Sequence, residues 1–171
     1  SVSMPKEDKD VHFAHSKEGQ PLSAWQPLDR HLEQVADLAG EFAGVFGAAS
    51  WGRLIGLWHD LGKYAPDFQR YIRGSSEAHI EGKTGRVNHS SAGALLAIDQ
   101  FDQLGRILAY AIAGHHAGLP DWQSANAPAA SLAYRLNAVE LLTAARSGDI
   151  PKAITEQVKP WEKGRCGTEL S

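Results

Sequence analysis

Histidine is the residue through which this chain could do chemistry, with eight in 171 residues. Three stand in adjacent pairs, His59-Asp60 and His115-His116; His89 sits alone in Asn88-His89-Ser90, and His31 opens an amphipathic stretch. Imidazole nitrogens with a carboxylate form a donor set that favours Mn, Fe, Co, Ni or Zn over Mg, which prefers oxygen and keeps its waters. Each residue alone also suits a cap or a hydrogen-bonded structural role. Neighbours on a helix point about 100° apart. An adjacent pair can therefore meet at one centre only near a helix end, or where the acid bridges two ions. Lys63 follows in His59-Asp60-Leu61-Gly62-Lys63 and is a compact charge of the kind that binds phosphate. Without that context it reads as an exposed lysine after a helix.

Helices must position these residues. Leu32, Val35, Ala36, Leu38, Ala39, Phe42, Ala43 and Phe46 recur at three and four, predicting a helix over 31–46 with Asp29 as its cap. Ser50 is read as the cap of a second helix, 51–61, apolar on most sides and so expected to be the most buried. Gly62 is read as its C-cap. Pro66 starts a third helix, and 74–87 reads as a loop. Two further helices are expected over 90–101 and 104–116. A long one follows Pro128, over 129–146, and a short one follows Pro151. No period-2 strand and no internal repeat stand out, and 12–26 looks irregular. The reading is all-α, one domain over 1–171, with a loose terminus over 1–10 and a soft tail from about Lys159.

Composition narrows the class. Hydrophobic residues are 43% and charged residues 22%, ordinary globular usage that argues against a disordered or fibrous chain. No apolar run approaches the ~18 residues that span a membrane, and no secretory leader opens the chain. The lone Cys166 excludes an intrachain disulfide framework and fits a reducing, cytoplasmic setting. A net charge of −3 makes the whole chain a weak electrostatic attractor of nucleic acid.

The run His59-Asp60-Leu61-Gly62-Lys63 resembles the signature of the HD metal-dependent phosphohydrolases. More narrowly, several stretches resemble the HD nuclease of type I CRISPR systems, the nuclease part of their signature helicase–nuclease. They are Phe13-Ala14-His15-Ser16, Lys63-Tyr64-Ala65-Pro66-Asp67-Phe68-Gln69, Asn88-His89-Ser90, and Gly114-His115-His116-Ala117-Gly118-Leu119-Pro120-Asp121. The resemblance implies an HD-like helical bundle with two divalent transition-metal sites sharing Asp60. His31 and His59 would hold the first ion; His89, His115 and His116 would hold the second. Lys63 would hold a phosphate or orient water. His15 lies in a family-like motif without being a ligand, and His12 and His79 match no role. The implied partners are single-stranded DNA, a helicase domain in the same or a separate chain, and a guide-RNA surveillance complex.

One feature of the family has no match. Its members carry a further Asp on a later helix, completing the first site. Asp149 lacks the motif's apolar context, and Asn137 and Glu140 do not match it. The expectation is that this acid lies beyond Ser171 and that the chain is a fragment. For DNA contact, Arg70, Arg73, Lys83 and Arg86 flank the 74–87 loop, and Trp122 is the stacking candidate; Trp58 reads as core. Two other functions stay open: a small-nucleotide HD phosphohydrolase, and a truncated HD fold that only binds.

Overall fold

In a computed structural model, the structure describes residues 11–74, 85–115, 118, 120–126, 128 and 131–162, with only the backbone of 85–88. A short ribbon, β1 (Phe13–His15) and β2 (Gln26–Pro27), pairs antiparallel, Phe13 opposite Pro27 and His15 opposite Gln26. The helices are α1 (Leu28–Gly44), α2 (Ala49–Trp58), α3 (Pro66–Ile72), α4 (Gly85–Gly114), α5 (Leu132–Arg135), α6 (Glu140–Arg146) and α7 (Lys152–Thr155). A 3-10 turn, Leu61–Tyr64, joins α2 to α3. The class is all-α, as the periodicity predicts; the ribbon is the departure, in a segment that reads as irregular.

The hairpin of α1 and α2 is glued by small residues. A Cβ on Gly52 would lie 2.3 Å from the Ala39 carbonyl oxygen, and one on Gly56 2.7 Å from the Ala36 Cα. Contacts descending on one helix as they ascend on the other make the pair antiparallel, and only glycine lets the backbones approach this closely. The buried stripe of α1 is accordingly Leu28, Leu32, Ala36 and Gly40. Leu38, Phe42 and Phe46, which the sequence placed on the same amphipathic face, are exposed. The helix starts at Leu28 after Pro27, without a side-chain cap; Asp29 lies in its first turn and accepts from the Arg30 amide. Ser50 likewise does not cap α2, which starts one residue earlier.

Helix α4 covers α2. Every residue from Ser90 to Ala97 is buried, so the longest buried run belongs to α4 rather than to α2, whose Arg53 and Ser50 reach solvent. Gly93 sits where a Cβ would lie 1.9 Å from the Trp58 carbonyl oxygen. The two helices expected over 90–101 and 104–116 meet at Asp102, whose φ of 50° breaks the helical path. Trp58 is core: its ring stacks on Phe101, and its Nε1 donates to the Ile154 carbonyl at 2.8 Å, tying α7 to α2. Trp161, in the segment expected to be a soft tail, packs between Phe101 and Trp51.

The long helix expected over 129–146 is two short ones. Ser131 caps α5, its Oγ accepting from the Tyr134 amide, and Arg135 donates to the Ala113 carbonyl at the end of α4. Anchored this way, the chain turns at Leu136 and Asn137 before α6 begins. Among the described residues no helix is long and apolar enough to cross a membrane.

Candidate metal centre

His59 is the first residue past α2, and His115 the first past α4. The last carbonyls of a helix lack helical partners, and both rings use them. His59 Nδ1 lies 2.6 Å from the Gly56 carbonyl oxygen, and His115 Nδ1 lies 2.5 Å from that of Ile112. A carbonyl only accepts, so Nδ1 carries the hydrogen in both rings, and Nε2 faces outward. Both Nε2 atoms face Asp60, that of His59 at 3.2 Å from Oδ2 and that of His115 at 3.6 Å from Oδ1.

Asp60 is buried, at the bend where α2 gives way to the 3-10 turn. From α1, His31 brings its Nε2 to 3.4 Å from Oδ2. The His31 Nε2 is buried and makes no hydrogen bond among the described residues. Lys63, one turn on, places Nζ 2.8 Å from Oδ2. Burial acts to raise the Asp60 carboxyl, but the facing imidazoles of His115, His31 and His59 outweigh it and hold the group well below the ordinary carboxylate range.

The donor set fits a divalent metal. Ligand atoms of His31, His59 and Asp60 lie within 4.8 Å of one another. In a neutral ring protonated on Nδ1, Nε2 points a lone pair at the carboxylate. Two such rings around one anion need a cation between them, either a proton or a metal ion. An Nδ1–H held by a backbone carbonyl is the usual support of a histidine that ligates through Nε2.

Lys63 is not the solvent-facing lysine that its sequence position suggests. It is buried, donates to the Ala14 carbonyl at 3.1 Å, and lies 5.7 Å from the Phe68 ring centroid. His89 packs its ring edge-on to Phe68 at 4.5 Å, and its backbone lies where a Cβ on Gly62 would be, 2.6 Å away. Gly62 is thus a close-contact residue inside the turn rather than a C-cap. His116 and Lys83 lie outside the described residues, as do His79, Cys166 and the Arg86 side chain. Asn137, Glu140 and Asp149 are exposed, and none joins the cluster.

Of the residues proposed for DNA contact, Arg70, Arg73 and Trp122 lie among the described residues. Arg70 pairs with Asp67 on α3. Arg73 donates to the Val11 carbonyl at 2.6 Å and covers the Phe13 ring. Trp122 lies under the Arg106 guanidinium and beside Tyr110. Sequence reasoning missed three participants. His15 stands edge to face with His31 at 5.1 Å, its imidazole pulled below the ordinary range by burial and by the charge of Lys63. Ala14 contributes a carbonyl, and Gln69 ties Ala14's strand to the turn. The signal was present: both family-like stretches containing these residues stood out, but Ala14, His15 and Gln69 themselves had no chemical role.

A His-Asp pair with its Asp buried, followed by Gly-Lys and ringed by histidines from separate helices, defines an HD-type hydrolase centre in an all-α domain. The chain matches the family model described as Cas3, HD domain over residues 14–165. It belongs to that family, and is a CRISPR-associated nuclease domain of the HD superfamily. No curated protein matches it.

Proposed function

We propose that this domain cleaves single-stranded DNA in CRISPR interference, with Asp60 and the histidines around it as the residues that would hold two divalent ions. The observation that carries this is the division of donors: His31 and His59 gather on Oδ2, and His115 on Oδ1. A carboxylate shared in this way suits ions about 3.5–4 Å apart, the spacing of two-metal phosphodiesterases. His89 and His116 are assigned to the Oδ1 side. When bound, such ions supply an activated water and neutralise charge on the phosphoryl oxygens.

The chain's own residues do the rest. Gly56 and Ile112 carbonyls hold the imidazoles of His59 and His115 in one tautomer and one direction. Lys63 fixes the Asp60 carboxylate from beneath and keeps positive charge next to the reacting phosphate. Nitrogen donors favour Mn, Fe, Co or Ni over Mg. With a net charge of −3, strand delivery falls to a helicase acting with a guide-RNA surveillance complex. The strand's backbone is assigned to the side of α3 that carries exposed Arg70.

The test is cleavage of end-labelled single-stranded DNA beside a panel of nucleotides, with Mn titrated from a chelated start. The proposal expects DNA fragments that depend on metal and on Asp60. Nucleotide hydrolysis without DNA cleavage would point to a small-molecule phosphohydrolase; binding without either would point to a non-catalytic HD fold.

A further inference from the structure

We infer that Gln69 is a positioning residue of the metal centre, acting through β1 and Lys63. Gln69 lies on α3 and is buried, with three hydrogen bonds on one carboxamide. Its Oε1 accepts from the Phe13 amide at 2.9 Å. Its Nε2 donates to the Phe13 carbonyl at 2.9 Å and to the Lys63 carbonyl at 2.8 Å. The amide therefore extends the edge of β1 as a further strand would, and at the same time grips the turn after Asp60.

The next residue on β1, Ala14, holds the ammonium of Lys63 with its carbonyl, and that ammonium sits on Asp60 Oδ2. The residue after it, His15, is edge-on to His31. One carboxamide thus sets the strand whose next two residues reach the Oδ2 side of the centre, Ala14 through Lys63 and His15 through His31. A ribbon of three and two residues is too short to hold itself in place. Removing the amide frees Ala14, and with it the anchor of Lys63. This inference rests on the reading of the cluster as a metal centre only in its last step.

The experiment has two readouts on the full chain. The first needs no metal: the rate at which Lys63 is modified by an amine-reactive reagent in chelator, read by peptide mass spectrometry. The second is affinity for Co2+, followed by its visible absorption. Gln69→Met should raise Lys63 modification at least ~10-fold and weaken Co2+ binding by roughly 10–100-fold, the usual effect of losing a group behind a ligand. Gln100→Met, which removes a hydrogen bond from Gln100 Nε2 to the Thr155 carbonyl elsewhere, is the control for general loosening and should change neither. If Gln69→Met is not folded by circular dichroism, Gln69→Asn, which keeps the amide but shortens its reach, carries the test. A Lys63 that stays protected in a folded Gln69 variant overturns the inference. So does equal exposure of Lys63 in Gln100→Met. Failure of the unaltered protein to bind Co2+ would count against the metal reading, while Lys63 labelling would still decide the role of Gln69.

Discussion

The rings of His59 and His115 stand edge to face, 5.1 Å apart, and each is aimed by the carbonyl three residues before it. Two helices from separate parts of the chain end in the same way and point their last imidazoles at one carboxylate. The aim depends on where each helix stops, so the centre is sensitive to changes in helix packing that touch no ligand.

Gly56→Ala is the simplest such change. Its Cβ would fall 2.7 Å from the Val35 carbonyl oxygen and Ala36 Cα, all backbone that cannot swing aside. Helix α2 has to move away from α1, at a cost of about 1–3 kcal/mol. Because Gly56 also supplies the carbonyl for His59 Nδ1, metal affinity should fall along with the thermal midpoint. Calorimetry with and without metal checks both.

Asp60→Asn strands the Lys63 ammonium in a buried site. Breaking one side of a buried ion pair costs about 3–5 kcal/mol. Urea unfolding in chelator should show a loss of that order, and Lys63→Met added to Asp60→Asn should recover part of it. An Asp60→Asn protein as stable as the parent would mean that the pair at 2.8 Å contributes nothing.

The depressed Asp60 carboxyl sets an acid dependence. The folded state holds this group deprotonated more firmly than the unfolded chain does. Its contribution is therefore present above the unfolded value of about 4 and is lost as pH falls below it. Stability measured in chelator from about pH 6 to pH 3 should fall more steeply in the parent than in Asp60→Asn.

Tyr64 gives the opposite sign. Burial, with Asp29 nearby, pushes its hydroxyl above the ordinary tyrosine range, and among the described residues its oxygen has no hydrogen-bond partner. Its contribution is full below about pH 10 and is lost above it. Tyr64→Phe should be neutral or up to about 1–3 kcal/mol more stable, and should lose less stability on going above pH 10. Unfolding midpoints at neutral and alkaline pH check this.

The parts of this protein legible in its sequence were those with a local pattern. Helical periodicity gave the class and most helices, including the break in α4 near Asp102. The motif at His59-Asp60 pointed to the centre, and the need for helix ends was clear from the adjacent pairs. What periodicity could not convey was contact between distant segments. The face of α1 that packs is the one glycine lets α2 approach, so Ala36 and Gly40 are buried while Phe42 is exposed. The ribbon was invisible because it is three and two residues long and is completed by a side chain, Gln69. Position alone reads Lys63 as an exposed lysine, because its burial depends on Ala14, 49 residues earlier.

Anomalous diffraction from crystals soaked in Mn2+ or Co2+, recorded at the metal's absorption edge, tests the central claim most directly. The account predicts two peaks flanking Asp60, one bonded to Nε2 of His31 and of His59, the other to Nε2 of His115, and neither in Asp60→Ala. Peaks that avoid Asp60, or an undisturbed pair in Asp60→Ala, would contradict it.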